Sequence, residues 1–221
     1  PIVVVFAGII VRYVFALMSH QPMTVADLAG VTVKAVPWAF FVSAIRFGSN
    51  SLIANTNLVT KIYMPREIFP LAAVLSALLD FGIASGVLLV VLAVARIGVS
   101  IQLFWVPVLS VILPMLTVSI ALVLSAASLF FRDVKYLVDV FLMFAIFFTP
   151  VFFEAGMFGR WASLLLINPV APVLEGLHSV VVRQVPPSLP WLAYSAAVGL
   201  LGSVLGVVFF KRVEPFFAES V

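Results

Sequence analysis

Long stretches without a charged residue constrain this chain more than any other feature. No Asp, Glu, Lys or Arg occurs from 97 to 131 or from 184 to 210, and Asp80 is the only one between Glu67 and Arg96. A helix needs about 20 predominantly apolar residues to cross a bilayer. Each stretch is long enough for one crossing, so the sequence predicts an integral membrane protein rather than a soluble domain.

The overall composition supports the same interpretation. Of the 221 residues, 64% are hydrophobic and 10% are charged, whereas charged residues make up roughly a quarter of a typical soluble domain. The net charge of +3 comes from basic residues that are scattered between the apolar segments. Because they form no basic patch, we expect no nucleic-acid partner.

The chain has no cysteine, which excludes disulfides and thiolate metal sites.

The apolar segments predict an all-α integral membrane fold with six transmembrane helices, in a single domain over 1–221. The predicted spans are 2–18, 31–54, 69–95, 104–130, 136–153 and 189–210. Pro107 and Pro114 predict a kink or an irregular start in the fourth span. Pro1 is followed at once by apolar residues, so we expect the chain to be incomplete at its N-terminus.

The segment from 154 to 188 is neither a span nor an ordinary loop. It contains two short apolar stretches, 161–167 and 172–182, which are separated by Asn168 and Pro169. Both are too short to cross a bilayer, so they predict two interfacial or re-entrant helices.

The distribution of Lys and Arg predicts the orientation. Loops on one side would contain Lys61, Arg66, Arg132, Lys135, Lys211 and Arg212, and loops on the other would contain Arg96, Arg160 and Arg183, with Lys34 near a boundary. Basic residues are enriched in cytoplasmic loops. We therefore expect both termini in the cytoplasm and the 154–188 segment outside.

Little in the sequence favours an enzyme. No Gly-rich phosphate-binding motif is present. Glu175 and His178 are three residues apart and would share a helix face, as in half of a carboxylate–histidine metal site. The only other histidine is His20, so polar packing is the favoured interpretation of the pair and no metal site is predicted.

Four ionisable residues lie within predicted spans: Arg12, Arg46, Asp80 and Asp139. A charge at the centre of a bilayer costs at least about 2.5 kcal/mol, so these groups would face a polar pathway or a subunit interface. Alternatively, Arg46 and Asp139 lie near a cytoplasmic end and extend to the lipid headgroups.

Aromatic residues concentrate in the fifth predicted span. Phe141, Phe144 and Phe148 recur at spacings that place them on one helix face. Such a stripe is most often in contact with lipid or other helices, but it could also be a channel wall along which sugar rings slide. Gly82 with Gly86, and Gly202 with Gly206, are weak indications of close helix packing.

The link between the second and third predicted spans is the most informative stretch. Asn55 or Asn57 can cap a short helix that Pro65 ends. Leu58, Val59, Ile62 and Tyr63 would share its apolar face. A two-turn amphipathic helix of this kind suits docking into a groove on another protein.

At these residues the chain resembles the membrane subunits of ABC-2 type exporters, specifically the polysaccharide and teichoic-acid branch (O-antigen, capsule and wall teichoic acid permeases). The resemblance extends over nearly the whole chain. It is carried by NLVTKIYMPREIFP (57–70), FFRDVKY (130–136), TPVF (149–152) and NPVAP (168–172). The amphipathic interface helix that usually precedes the first span in this family is missing.

The resemblance implies a transport subunit that is not itself an enzyme. Two copies would pair with two copies of a separate ATPase, which would bind ATP and Mg. The chain would lie in the bacterial inner membrane and export a lipid-linked polysaccharide or teichoic acid. The implied ATPase-coupling residues are Asn57, Leu58, Val59, Lys61, Ile62, Tyr63, Arg66 and Glu67, with Arg132 and Asp133 at a second contact.

The family also implies a channel and two gate helices. The implied channel residues are Arg12, Tyr13, Trp38, Phe41, Arg46, Phe141, Phe144, Phe148 and Phe152. The implied gate-helix residues are Trp161, Asn168, Pro169, Glu175 and His178. Two alternatives stay open: an ABC-2 exporter of drugs or small lipids, and a membrane enzyme or scaffold without an ATPase partner.

Overall fold

A computed structural model describes residues 2–19, 25–56, 64–94, 98, 100–131 and 133–218, and all regular structure in them is helical. The helices are α1 (Ile2–Ser19), α2 (Val25–Ala54), α3 (Ile68–Val94), α4 (Trp105–Phe130), α5 (Val134–Ala145), α6 (Ala162–Leu166), α7 (Val170–Val181) and α8 (Leu189–Val213). Three 3₁₀ helices are formed by Ile101–Phe104, Ala155–Trp161 and Glu214–Ala218.

Four of the described helical segments are long and apolar enough to cross a membrane. They are Asp27–Ala54, Ile68–Ala93, Ile101–Phe130 and Leu189–Phe217. They correspond to the second, third, fourth and sixth predicted spans. The other two predicted spans coincide with α1, whose apolar part is the shorter Val3–Val14, and with the twelve-residue α5. The helical class is confirmed for the described residues, whereas six crossings stay a prediction.

The fifth span was predicted as one helix over 136–153, and this is wrong. The helix ends at Ala145, and residues 146–153 form turns. The backbone N–H groups of Phe147 and Phe148 donate to carbonyls only three residues back, at 3.0 and 3.2 Å. Pro150 explains the break, because its ring excludes the carbonyl four residues earlier and disfavours helical geometry at Thr149.

The fourth span has the irregular start that its prolines predicted. Ser100 caps the 3₁₀ helix Ile101–Phe104, since its hydroxyl accepts from the backbone N–H of Gln102 at 3.3 Å. The helix α4 begins directly afterwards, at Trp105.

The helix α2 is the centre of the bundle. Its most apolar stretch is 78% buried, compared with 11% for α3, which lies at the periphery. It packs against α1, α3, α4, α5 and α7. A helix that is apolar on every face is expected to be surrounded by other helices in this way.

The helices α4 and α8 pack closely because α8 has glycines in the contact. A Cβ at Gly206 would lie 3.1 Å from the backbone oxygen of Ser119. The hydroxyl of Ser203 donates to the backbone oxygen of Met115 at 2.8 Å. The close approach predicted for Gly202 and Gly206 is therefore confirmed, whereas Gly82 and Gly86 on α3 have nothing within 4 Å of such a Cβ.

The bundle has two ends, which we call the base and the top. The base contains the last turn of α2, the segment 64–67, the end of α4 and the 3₁₀ helix Glu214–Ala218. The top contains the first turns of α2, the segment 153–155 and α7. Of the predicted functional residues that the structure describes, Arg66 and Glu67 lie at the base, whereas Glu175 and His178 lie at the top.

Candidate functional site

Lys34 of α2 is the buried centre of a charged cluster at the top. Its side chain is 3% exposed. The Nζ donates to Oε1 of Glu175 on α7 at 2.9 Å and to the backbone oxygen of Phe153 at 2.6 Å. The same Glu175 oxygen accepts from the backbone N–H of Ala155 at 3.0 Å. A single ion pair thus joins α2, α7 and the segment that follows α5.

Two further ion pairs complete the cluster. Arg12 pairs with Asp27 and joins α1 to the first turn of α2. Arg183, just after α7, pairs with Glu154. Each cation in these three pairs faces an anion, so the cluster has no excess charge to attract an anionic polymer. It holds α7 against α2, α1 against α2, and Arg183 against the segment that follows α5.

The space inside the cluster is small. A cavity of about 20 Å³ is lined by Arg12, Asp27, Lys34, Glu154 and His178, among others. This volume is close to that needed for one water molecule, about 10–15 Å³, and excludes a sugar ring. Within the described residues, no three His, Asp or Glu side chains come together as a potential metal site.

His178 is neutral at the edge of this cluster. It lies on α7, which is too short to be one of the candidate spans. Burial, together with the positive charges of Lys34, Arg183 and Arg12, lowers the pKa of His178 to about 3. Its Nε2 lies 3.7 Å from Oε1 of Glu154, which is beyond hydrogen-bond distance. Both His178 and Glu175 are therefore packed among protein groups, as the sequence favoured.

The lowered pKa of His178 predicts a pH-dependent stability. The unfolded chain takes up a proton near pH 6.5, whereas the folded chain does so only near pH 3. Stability is fully present above pH 6.5 and falls as the pH falls towards 3, because the unfolded state then binds the extra proton. We expect the midpoint of thermal unfolding in detergent to decrease more steeply between pH 7 and 4 for the wild type than for His178→Gln. Parallel curves would contradict this.

The close contact between Gly30 of α2 and His178 of α7 predicts that a larger residue at position 30 destabilises the fold. A Cβ at Gly30 would lie 2.7 Å from Nε2 of His178, so Gly30→Ala forces the buried His178 ring out of its position. We expect a loss of about 1–3 kcal/mol, as is usual for overpacking, measured by unfolding in detergent. Gly82→Ala is the matched control, since nothing lies within 4 Å of its Cβ. Equal stability of the two variants would refute the contact.

Asn168 joins two of the motifs that the sequence analysis singled out. Its Nδ2 donates to the hydroxyl of Thr149 at 2.9 Å, and its Oδ1 accepts from the backbone N–H of Val170 at 3.2 Å. Pro169 occupies the cap position of α7. Trp161 is exposed at the end of the preceding 3₁₀ helix. The TPVF and NPVAP stretches thus form one structural unit around the break in the predicted fifth span.

The predicted channel aromatics fall into two groups. Trp38 and Phe41 are buried within the chain and stack with ring centroids 5.5 Å apart. Tyr13, Phe141, Phe144 and Phe148 are exposed, whereas Phe152 is half-buried against the core. Phe41 and Phe141 meet in an apolar groove of about 400 Å³ between α2, α4 and α5. The structure therefore brings together part of the predicted set, and its channel role stays a prediction.

The ionisable residues of the predicted spans have different environments. Nε of Arg46 on α2 donates to Oδ1 of Asp139 on α5 at 2.7 Å, and both side chains are partly exposed. Asp80 is exposed at the middle of α3. With the Arg12–Asp27 pair, three of the four residues are held in ion pairs.

Most of the predicted coupling residues lie outside the described part of the chain. These are Asn57, Leu58, Val59, Lys61, Ile62, Tyr63 and Arg132. Arg66, Glu67 and Asp133 are described, and Arg66 and Glu67 contact the end of α8 and the turn that follows it. The coupling assignment as a whole stays a prediction.

The sequence analysis did not predict four residues of the top cluster as site residues, namely Asp27, Lys34, Glu154 and Arg183. The sequence did indicate that ion pairs would form, because charged groups in apolar segments are usually paired with one another. The partners could not be deduced, since Lys34 and Glu175 are 141 residues apart.

Comparisons with known proteins agree with the resemblance seen in the motifs. No family model matches the chain. Two curated proteins of Klebsiella pneumoniae, each named O-antigen export system permease protein RfbA, are 24% identical to it over 83% of this chain and 71% of their own length. A protein of the same name from Myxococcus xanthus is 23% identical over 86% of this chain and 74% of its own. The chain is thus similar to O-antigen export permeases over most of its length.

Proposed function

We propose that this chain is the transmembrane subunit of an ATP-driven ABC-2 type exporter, which moves a lipid-linked polysaccharide of the O-antigen type across the bacterial inner membrane. The observation that carries the proposal is the similarity to O-antigen export permeases over most of the chain. The four long apolar helices and the short helices α6 and α7 support it.

In the proposed arrangement the chain crosses the membrane six times. The two crossings beyond the four long helices would be α1 and the segment from α5 through residue 153. The base would face the cytoplasm, together with both termini. The presence of Arg66, Lys211 and Arg212 at one end of the bundle supports this orientation, because basic residues are enriched on the cytoplasmic side.

The proposed partners are a second copy of this chain and a pair of ATPase subunits. The ATPase would bind ATP and Mg, dock on the helix predicted near 57–64 and contact the turn at 131–133. The exposed aromatic side chains of α1 and α5 are a surface that a second copy and a glycan could share, since aromatic faces pack against both.

The top cluster gives α7 a place in the transport cycle. It ties α7 to α2 through Lys34 and to the turn after α5 through Glu175. Movements of the spans would therefore be transmitted to α7, as expected of a gate at the exit of the path. Ion pairs of this kind can exchange partners when helices shift.

The proposed function can be tested by isolating the tagged chain from native membranes. We expect an ABC ATPase to co-purify and vesicles containing the complex to translocate lipid-linked glycan only when ATP is supplied. Deleting the gene should leave the glycan on the cytoplasmic side and remove it from the cell surface. An isolated chain without an ATPase, in cells with unchanged surface glycan, would rule the proposal out.

A further inference from the structure

The 3₁₀ helix Glu214–Ala218 folds back onto the base of the bundle instead of continuing away from α8. Phe217, near its end, is fully buried. It packs in a cluster with Leu52, Leu122, Leu129 and Phe210, among others. Its ring centroid is 5.4 Å from that of Phe210 and 5.7 Å from that of Phe130, the last residue of α4. An aromatic residue beyond the end of α8 is thus part of the core.

Polar contacts attach the segment 64–67 to the same turn. The backbone N–H of Arg66 donates to Oε1 of Glu214 at 3.3 Å, and its guanidinium donates to the backbone oxygen of Glu214 at 3.1 Å. The guanidinium also lies over the ring of Phe217, 5.7 Å from its centroid. Nearby, Nζ of Lys211 lies 3.5 Å from Oε1 of Glu67. We call Arg66, Glu214 and Phe217 the base clamp.

The base clamp lies between the two segments expected to touch the ATPase. Arg66 lies three residues after the segment 57–63, and Phe130 directly precedes residues 131–133. Both are in contact with Phe217. Because Phe217 also packs against Phe210, it connects the residues next to these two segments to the end of α8.

The helix α8 extends from the base clamp to the short helices at the top. It is 25 residues long and packs along α4. Near its other end, the hydroxyl of Tyr194 donates to the backbone oxygen of Ile167, just after α6, at 2.7 Å. A continuous helix of this length acts as a rigid element between two sites.

We propose that the base clamp couples the ATPase-contacting segments to α8, and that α8 transmits their movement to α6 through Tyr194. Arg66 and Phe217 are positioning residues, because they act through α8 and do not touch substrate or nucleotide. The inference rests on the proposed function, since it concerns how ATP-driven movement reaches the exit.

The test compares Arg66→Ala with Arg212→Ala in the complete complex reconstituted in lipid vesicles. Arg212 is an exposed basic residue on the last turn of α8 and is the matched control. We expect Arg66→Ala to translocate about tenfold less glycan for each ATP that the complex hydrolyses, within the range usual for coupling between sites. Arg66→Lys, which retains the charge and one donor group, should restore part of the translocation.

Variants at the other positions separate coupling from simple structural support. Tyr194→Phe removes only the hydroxyl at the top, and we expect the same loss of translocation with unchanged hydrolysis. The double variant with Arg66→Ala should be no worse than either single one, because both act on one path. Phe217→Ala should behave like Arg66→Ala, with the more exposed Phe209→Ala as its control.

The outcomes distinguish this inference from the function on which it rests. If the wild-type chain brings down no ATPase, the proposed function itself fails. If the wild type translocates glycan and Arg66→Ala behaves like Arg212→Ala, the base clamp is not a coupling element. A parallel loss of hydrolysis and translocation in Arg66→Ala would also overturn the inference, because it would indicate a role in ATPase docking.

Discussion

Replacing Leu58 and Ile62 by aspartate together should abolish both ATPase binding and glycan export. The two side chains share the apolar face predicted for the helix near 57–64, and fully burying such a side chain contributes about 1.5–3 kcal/mol. Losing both amounts to at least about 3 kcal/mol, or more than about a hundredfold in affinity. The loss should be larger still, because the new carboxylates would be buried without partners. Co-purification and export assays measure it.

Thr60→Asp is the matched control for this pair. Thr60 lies on the predicted polar face of the same helix, so the substitution introduces one of the two negative charges without removing an apolar contact. We expect ATPase binding to persist in that variant. If the Leu58 and Ile62 variant still held the ATPase, the helix would not be the docking element.

Replacing Lys34 by methionine should produce a large loss of stability. The ammonium of Lys34 neutralises Glu175 inside the bundle and also binds the backbone oxygen of Phe153. Removing one partner of a buried ion pair typically costs about 3–5 kcal/mol. We expect the lower end of that range, because the Glu175 side chain is 20% exposed and keeps its bond from the backbone N–H of Ala155. Unfolding of the purified chain in mixed detergent micelles measures this loss.

Two further variants show whether the loss comes from the buried charge. Lys211→Met makes the same substitution at a lysine whose side chain is 60% exposed, compared with 3% for Lys34. An exposed ion pair contributes about 0–1 kcal/mol, so this control should unfold almost like the wild type. Adding Glu175→Gln to Lys34→Met should recover part of the stability. A Lys34→Met variant as stable as Lys211→Met would mean that the pair does not hold α7.

Much of the helix content was predictable because it depends on local composition. Four of the six predicted spans coincide with long apolar helices. The short helices between 154 and 188 were predicted from the length of two apolar stretches and from the proline between them. The break after Ala145 was also encoded locally, at Thr149 and Pro150, but the apolar pattern of 136–153 outweighed it in the prediction.

The side-chain partners in the candidate site were not predictable. The Arg46–Asp139 and Lys34–Glu175 pairs are separated by 93 and 141 residues. Nothing in the spacing of such residues says which carboxylate will face which cation. The burial of Trp38 and Phe41 was equally hidden, because α2 is apolar on all faces and its sequence does not mark the faces that meet other helices.

By itself the sequence determined the features that depend on residues close together in the chain. These are the long apolar helices, the irregular start of α4, the short helices between 154 and 188, and the motifs that resemble those of polysaccharide exporters. Only the tertiary structure decided that Lys34 holds α7 in place and that Phe217 joins Arg66 to Phe130. The reason is physical: hydropathy sets whether a segment is a helix in lipid, whereas the pairing of distant charges and rings depends on how those helices pack.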